Sequence, residues 1–473
     1  MERSRRSSLH LGILLCLLLL SCMAQSLESA QPSCRKHTLV VPPTEASDYS
    51  TSPSLLTIAH RGASSHLPEH TVEAYRLALE LGASFIEPDI VSSSDGVLFA
   101  MHTVDLNITT DVEQVFAQQG PWYSPTQGRV GYWSYNFTWE QIQQLRVRQR
   151  LPAFRTQVYD GMLRIPSLDD ILDTLRLWNE IDLPVRRNVT GGASGSRTRP
   201  SPLQKYKSGL YLEIKEAKWL KDDAGIDLID LIFRHISQKQ HLYWNDLLPC
   251  FEEVRFDEYI VPGLVVQSFY PLDLQEFHRR WQDKESGMTE KHSEPPYILL
   301  VNREHCFQDE FWFRVGDSWR SFLSGLGCEK TCLTEGPKSH AIIQKAIEFS
   351  LVLHPWTERP ESSFWTFPSI WEEMMFLKCN TSGVVHGLFS ESVDIAVRVA
   401  HTPCPSEATK HQHPVNESQH CRAQGSSVVL AAAFGAVVAL AFSCGTSLLW
   451  KTKRPTDATR IPTSELPASV ELT

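Results

Sequence analysis

Seven ionisable residues fall where they could act together on one substrate: His60, Arg61, Glu87, Asp89, His102, Glu213 and Lys215. His60 ends an apolar run, Leu55–His60, that reads as a strand, and Arg61 and Gly62 follow it at once. Glu87 and Asp89 stand two apart in the next such run, so both side chains leave the same face of a strand. Glu213 and Lys215 repeat that spacing further on, and His102 closes the run Val97–His102. Three carboxylates brought together repel one another unless a cation joins them. Oxygen donors without a thiolate suit a hard divalent ion, Ca²⁺ or Mg²⁺. Arg and Lys are the side chains that hold a phosphate, and two imidazoles can serve as general acid and base. A cation on a phosphate oxygen would stabilise the charge that builds up in a displacement. Each residue alone has a plainer explanation, since a strand-end His is commonly structural and a Glu-x-Lys pair commonly an internal ion pair. Their concentration at the ends of four successive strands argues for a site.

Such a gathering needs strands whose C-terminal ends meet. Between residues 55 and 400 short apolar runs alternate with helical patterns, as in parallel β/α units. The expected strands are Leu55–His60, Ser84–Ile90, Val97–His102, Leu210–Lys215, Gly263–Phe269, Tyr297–Val301, Glu348–His354 and Val384–Phe389. Helical patterns at Thr71–Leu81, Leu168–Ile181, Gly225–Ser237 and Pro368–Leu377 fall between many of them. Eight strands with intervening helices predict an α/β fold, a (β/α)₈ TIM-type barrel whose catalytic groups gather at the C-terminal mouth. An aromatic-rich insertion at 111–166 follows the third expected strand and should help to roof that mouth. A second interruption, 184–207, contains GGASGSRTRPSP and reads as a flexible loop on the opposite face.

The ends suggest an exported, anchored chain. Residues 1–24 carry Arg3, Arg5 and Arg6, then the apolar run Leu11–Leu20, then small residues ending at Ala24, the layout of a signal peptide. An N-terminal segment at 25–54 leads into the barrel, and a polar stalk at 401–426 leads out of it. Residues 427–450 hold no charge and are long enough for one transmembrane helix, and Lys451, Lys453 and Arg454 follow. The positive-inside rule then puts the tail 451–473 in the cytosol and the barrel outside the cell or in a lumen, as a single-pass type I membrane protein. Outside the two apolar segments eight cysteines remain, an even number that suggests disulfides in an exported domain. Sequons for glycosylation begin at Asn107, Asn136, Asn188, Asn380 and Asn416. A formal charge of −10 and the lack of a basic run in the main body exclude a nucleic-acid surface. Composition does not determine the oligomeric state.

The run IAHRGASSHLPEHTVEAYRLALELGASFIEPDIVSSSDGVLFAMH resembles the signature of the glycerophosphodiester phosphodiesterase family. That family shows His-Arg-Gly, then Pro-Glu-Asn-Thr, then Glu-x-Asp, then a His that ends the next strand. The stretches LRVRQRLPAFRTQVYDGMLRIPSLDDIL, GLYLEIKEAKWL, VVQSFYPLDLQEF, SLVLHPWTERPE and GVVHGLFSE resemble its longer periplasmic and plant-type branch. The resemblance implies that His60 and His102 are the acid/base pair and that Glu87, Asp89 and Glu213 hold the metal. It makes Arg61 and Lys215 phosphate contacts, and Glu69 a brace for Arg61 or for the ion. Phe269 and Trp356 would pack on the alcohol part of the substrate, or simply on the core. Two positions depart from the pattern: His70 stands where the family has Asn, and Thr103 where it has Asp. The implied reaction is hydrolysis of glycerophosphodiesters, small soluble molecules, to sn-glycerol 3-phosphate and an alcohol. Two alternatives stay open. One is a phospholipase C- or D-like enzyme, for which Trp122–Trp139 would supply an apolar surface; the other is a surface protein of this fold with weakened catalysis.

Overall fold

A computed structural model of the chain describes residues 55–180 and 207–405, apart from short stretches at 245–246, 248–254, 257–258, 261–262, 287–293 and 363–366. Eight parallel strands make up its wall: β1 (Leu56–His60), β2 (Phe85–Glu87), β3 (Gly209–Ile214), β4 (Leu264–Ser268), β5 (Tyr297–Val301), β6 (Leu323–Cys328), β7 (Val352–Leu353) and β8 (Gly387–Ser390). Their spatial order is β7-β6-β5-β4-β3-β2-β1-β8. Parallel bridges Leu353↔Val385 and Glu358↔Ser390 bring β7 to β8 and nearly close the ring. The register at the site is His60↔Glu87 across β1 and β2, and Glu213↔Gln267 across β3 and β4.

The two-residue period sorts the side chains. Ile58, Phe85, Tyr211, Val265, Ile298, Val352 and Phe389, one from each of seven strands, form a buried cluster inside the barrel. Their neighbours Ala59, Ile86, Leu212, Val266, Leu299 and Leu388 face outward into the larger core beneath the helices. From β6 come glycines instead. A Cβ on Gly325 would lie 2.4 Å from Val352 Cγ2, and one on Gly327 2.5 Å from Leu300 Cδ2. The helices bury one stripe each, as Leu228–Gln238 does with Leu228, Ile229, Ile232, Phe233 and Ile236.

Three expectations need correction. The run Ser84–Ile90 breaks at Pro88 into β2 and a separate strand, Asp89–Ser92, which pairs with β3. Val97–His102 is no barrel strand. Only Leu98–Ala100 is extended, and it runs antiparallel to Asp89–Ser92 because the Ser93–Gly96 turn folds the chain straight back. The eighth wall strand is instead β6, whose sequence LSGLGC has too few β-branched or aromatic residues to read as a strand. The count of eight survived because one false strand replaced one missed strand.

The 111–166 insertion therefore follows a hairpin appended to β2. Within Trp122–Trp139, Trp133 and Phe137 are fully buried in the insertion's own core, while Tyr123 and Val130 are 63% and 56% exposed. Tyr135 Oη and Trp219 Nε1 donate to Asp223 Oδ2 at 2.9 and 3.0 Å, and Ser124 and Thr126 bond to the same carboxylate, tying the insertion to the helix Ala217–Ala224. Disulfides join Cys306 to Cys332 and Cys379 to Cys404. Cys328 is a buried thiol. Asn107, Asn136 and Asn380 are exposed. The expected signal peptide, transmembrane helix and tail, residues 184–206, Asn188 and Asn416 lie outside the described residues. Among the described residues no helix is long and apolar enough to cross a membrane.

Candidate active site

The mouth of the barrel is built first by backbone. Arg61 turns left-handed after β1, with φ of 62°, which places its N–H 3.0 Å from Glu87 O and 2.9 Å from Glu87 Oε2. Gly62 continues the turn at φ of 87°, where a Cβ would lie 2.7 Å from the backbone of Ala74. That contact explains the Gly of His-Arg-Gly. His70, also left-handed at φ of 54°, precedes the helix Val72–Glu80, which Thr71 caps by accepting from Ala74 N at 3.1 Å.

The three expected carboxylates meet: one oxygen each from Glu87, Asp89 and Glu213 lies within 4.8 Å of the others, and all three side chains are buried. Gln267 Nε2 donates to Glu87 Oε1 at 2.8 Å. Arg61 Nε and His70 Nε2 approach Asp89 Oδ2 at 3.1 and 2.9 Å. Lys215 Nζ bonds to Glu213 Oε1 at 2.9 Å and lies 4.0 Å from Asp89 Oδ1. Asp89 Oδ1 is buried without a hydrogen-bond partner among the described residues. Burial, then Asp89 and Glu213, push the Glu87 carboxyl well up, and burial raises that of Glu213 to about 8. Burial also opposes the charge on Asp89, but Lys215 and Arg61 outweigh it and hold that carboxyl low. A repelling, partly protonated trio with an orphaned oxygen is the donor set a hard divalent cation satisfies.

The imidazoles flank this cluster. His60 is held far down, to about 3, by burial and then by Arg61. His102 is held well below its ordinary value by burial, Arg61 and Lys215. It sits not on a strand but in the bend after Leu98–Ala100, and Val104 N–H bonds to Glu216 Oε2 at 2.8 Å, fixing that bend to the end of β3. Thr103 Oγ1 bonds to the backbone of Asp105, and among the described residues the His102 ring has no hydrogen bond.

Glu69 braces Arg61, accepting from Nη1 at 3.2 Å on each oxygen, and also accepts from Arg150 Nε at 2.7 Å. Phe269 and Trp356 stand edge to face at 5.6 Å, with Lys215 Nζ 5.6 Å from the Phe269 ring centre. All ten expected residues of the mouth thus converge.

Several neighbours were not expected. His70 was noticed only as a departure, yet it bonds directly to Asp89. Gln267 was detectable as the polar residue in the apolar run LVVQS. Glu391 directly follows β8, as His60 ends β1, and its Oε1 lies 3.1 Å from His60 Nδ1. Arg359 Nε donates to that oxygen at 2.6 Å. Arg150 and Arg155 reach in from the insertion, where only a concentration of arginines in LRVRQRLPAFR hinted at them.

Residues 60–190 match the model of the glycerophosphoryl diester phosphodiesterase family. A glycerophosphodiester phosphodiesterase of Arabidopsis thaliana is 38% identical over 230 residues, 45% of this chain and 58% of its own length. One from Haemophilus influenzae is 30% identical over 356 residues, 72% of this chain and 88% of that relative. Among solved structures, an Oleispira antarctica phosphodiesterase in complex with the product sn-glycerol-3-phosphate superposes with a TM-score of 0.44 at 16% identity, over 75% of this chain and 99% of that one. On the match to the Haemophilus protein, 30% identical and covering 88% of that relative, the chain belongs to the glycerophosphodiester phosphodiesterase family.

Proposed function

We propose that this protein hydrolyses glycerophosphodiesters to sn-glycerol 3-phosphate and an alcohol, with a divalent cation, Ca²⁺ or Mg²⁺, held by Glu87, Asp89 and Glu213. The observation that carries this reading is the convergence of two neutral imidazoles, a guanidinium and an ammonium on the buried carboxylate trio. When bound, the cation would neutralise charge on a phosphate oxygen. Arg61 and Lys215 orient the phosphate; Arg61 is itself fixed by Glu69, Glu87 and Asp89. Because both rings are uncharged at neutral pH, either can accept the proton of the attacking oxygen. The other, once protonated beside the anionic substrate, delivers a proton to the departing alkoxide as the P–O bond breaks. The nucleophile is water or the neighbouring 2-hydroxyl of the glycerol, which would close a cyclic phosphate first. Phe269 and Trp356 line the side on which the alcohol leaves.

The test is turnover by the purified protein on a panel of glycerophosphodiesters, with and without chelator. Hydrolysis that stops on chelation and returns with Ca²⁺ or Mg²⁺ is expected. No turnover of any diester, or full turnover under thorough chelation, would overturn it. A 2-deoxy analogue turned over at a normal rate would rule out the cyclic route.

One observation favours a second reading, a lipid phosphodiesterase. Phe154 and Met162 are 70% and 65% exposed on the segment whose Arg150 and Arg155 enter the site. Faster turnover of lysophospholipids than of their deacylated counterparts would decide for it. The intact site leaves the weakened-catalysis reading without an observation of its own. We also propose that 427–450 anchors the barrel outside the cell or in a lumen: a chain ending near Gln424 should be secreted in soluble form, and its retention on carbonate-washed membranes would refute the anchor.

A further inference from the structure

The contact that the proposed chemistry leaves unexplained is the one behind His60. Glu391 follows β8, is fully buried, and places Oε1 3.1 Å from His60 Nδ1. Three guanidinium groups surround this one carboxylate. Arg359 Nε donates to Oε1 at 2.6 Å, Arg155 pairs with Oε2, and Arg150 Nη2 lies 3.6 Å from Oε1. A carboxylate kept ionised by such neighbours can only accept hydrogen bonds. The neutral His60 ring must therefore carry its proton on Nδ1 and present a bare lone pair at Nε2.

Arg155 belongs to the roof segment rather than to the barrel wall. Its guanidinium donates to Ser64 O at 2.8 Å and to Glu361 Oε1 and Oε2 at 2.8 and 3.1 Å as well as to Glu391. It thus clasps the loops after β1, β7 and β8, and Ser64 Oγ bonds in turn to His60 O at 2.8 Å. We propose that Glu391 is the positioning residue that sets the tautomer and orientation of His60, and that Arg155 of the roof segment holds Glu391 to that task. The inference rests on the proposed catalytic part of His60 and adds the device that arms it. The roof is then a working part of the site as well as its cover.

Glu391→Gln in the full chain keeps the shape but removes the charge, and the neutral amide, whose carbonyl is a weaker acceptor, no longer forces the proton onto Nδ1. The expected result is a fall in kcat of about 10²- to 10⁴-fold with KM within about threefold of wild type. Non-additivity is the deciding readout. In a His60→Ala background the same substitution should cost less than about threefold more, because the residue it positions is gone. Equal losses in both backgrounds, or an unchanged kcat, would overturn the proposal. If Glu391→Gln does not fold, Arg155→Lys takes its place, with a smaller loss and the same non-additivity expected. The ¹⁵N spectrum of the His60 ring reads the tautomer without any turnover: Nδ1–H in the wild type and a shift of population toward Nε2–H in Glu391→Gln. An unmoved tautomer refutes the inference even if the proposed reaction proves wrong, and a moved one supports it in either case.

Discussion

Asp89→Asn tests whether the carboxylate trio is a cation site or a structural ion-pair cluster. At an effective dielectric of 20, the lost charge forfeits about 5 kcal/mol of attraction to Arg61 at 3.1 Å and about 4 kcal/mol to Lys215 at 4.0 Å. It also lifts from Glu213 the repulsion, about 3.5 kcal/mol at the 4.8 Å limit between their oxygens, that helps to hold its carboxyl up at about 8. Glu213, freed from that field, can ionise beside Lys215 at 2.9 Å and supply the missing negative charge. The Glu213–Lys215 attraction offsets much of the loss, so the cation-free variant should fold and lose only about 1–3 kcal/mol of stability. With the cation the loss is not offset. Wild type at 100 times its dissociation constant should gain about 2.7 kcal/mol. A variant bound about 100-fold more weakly should gain only about 0.4 kcal/mol at the same concentration. Thermal melts in chelated buffer, then with Ca²⁺ or Mg²⁺ titrated in, measure both quantities. Equal metal-dependent shifts in the two proteins, or no shift in wild type, would refute the reasoning. A variant that unfolds without metal would show that the trio is needed for the fold itself.

Three other outcomes can be stated briefly. His60→Ala and His102→Ala should each lower kcat by about 10²- to 10⁴-fold, and the double variant should be little worse than the poorer single one, because the two act in one step; wild-type rates for both on every diester would refute their assignment. His354, fully buried against Tyr211 Oη at 2.8 Å, is pushed down to about 3 by burial, as His60 is. The unfolded chain takes up those protons first, so stability present above pH 6.5 should be lost on acidification, by up to about 1.4 kcal/mol per pH unit for each ring. Urea melts between pH 7.5 and 5.5 measure this, and a slope unchanged in His354→Gln would show that the ring contributes nothing. Cys379→Ser opens a loop with a sequence separation of 25 residues and should cost about 3 kcal/mol, whereas Cys328→Ser, at a thiol without a partner cysteine among the described residues, should leave non-reducing peptide maps unchanged.

Local order in the sequence was enough to place half of the site. Residues 60, 61, 87, 89, 213 and 215 lie at or next to strand ends that short apolar runs mark in the sequence, although Pro88 divides Glu87 and Asp89 between two strands. The helices Val72–Glu80 and Leu168–Glu180 and seven of the eight wall strands were legible for the same reason: one chemical period, 2 or 3.6 residues, repeats within a short window. Tertiary structure decided the remainder, because it depends on contacts that leave no local period. Glycines make β6 a strand only because Val352 and Leu300 occupy the space its side chains would need. Val97–His102 has a strand's composition but folds back as a hairpin arm, which delivers His102 from a bend rather than from the wall. Glu391 meets His60 across 331 residues of sequence, and Arg155 meets Glu391 across 236. Only closure of the barrel, with β8 laid beside β1, brings these charges into contact.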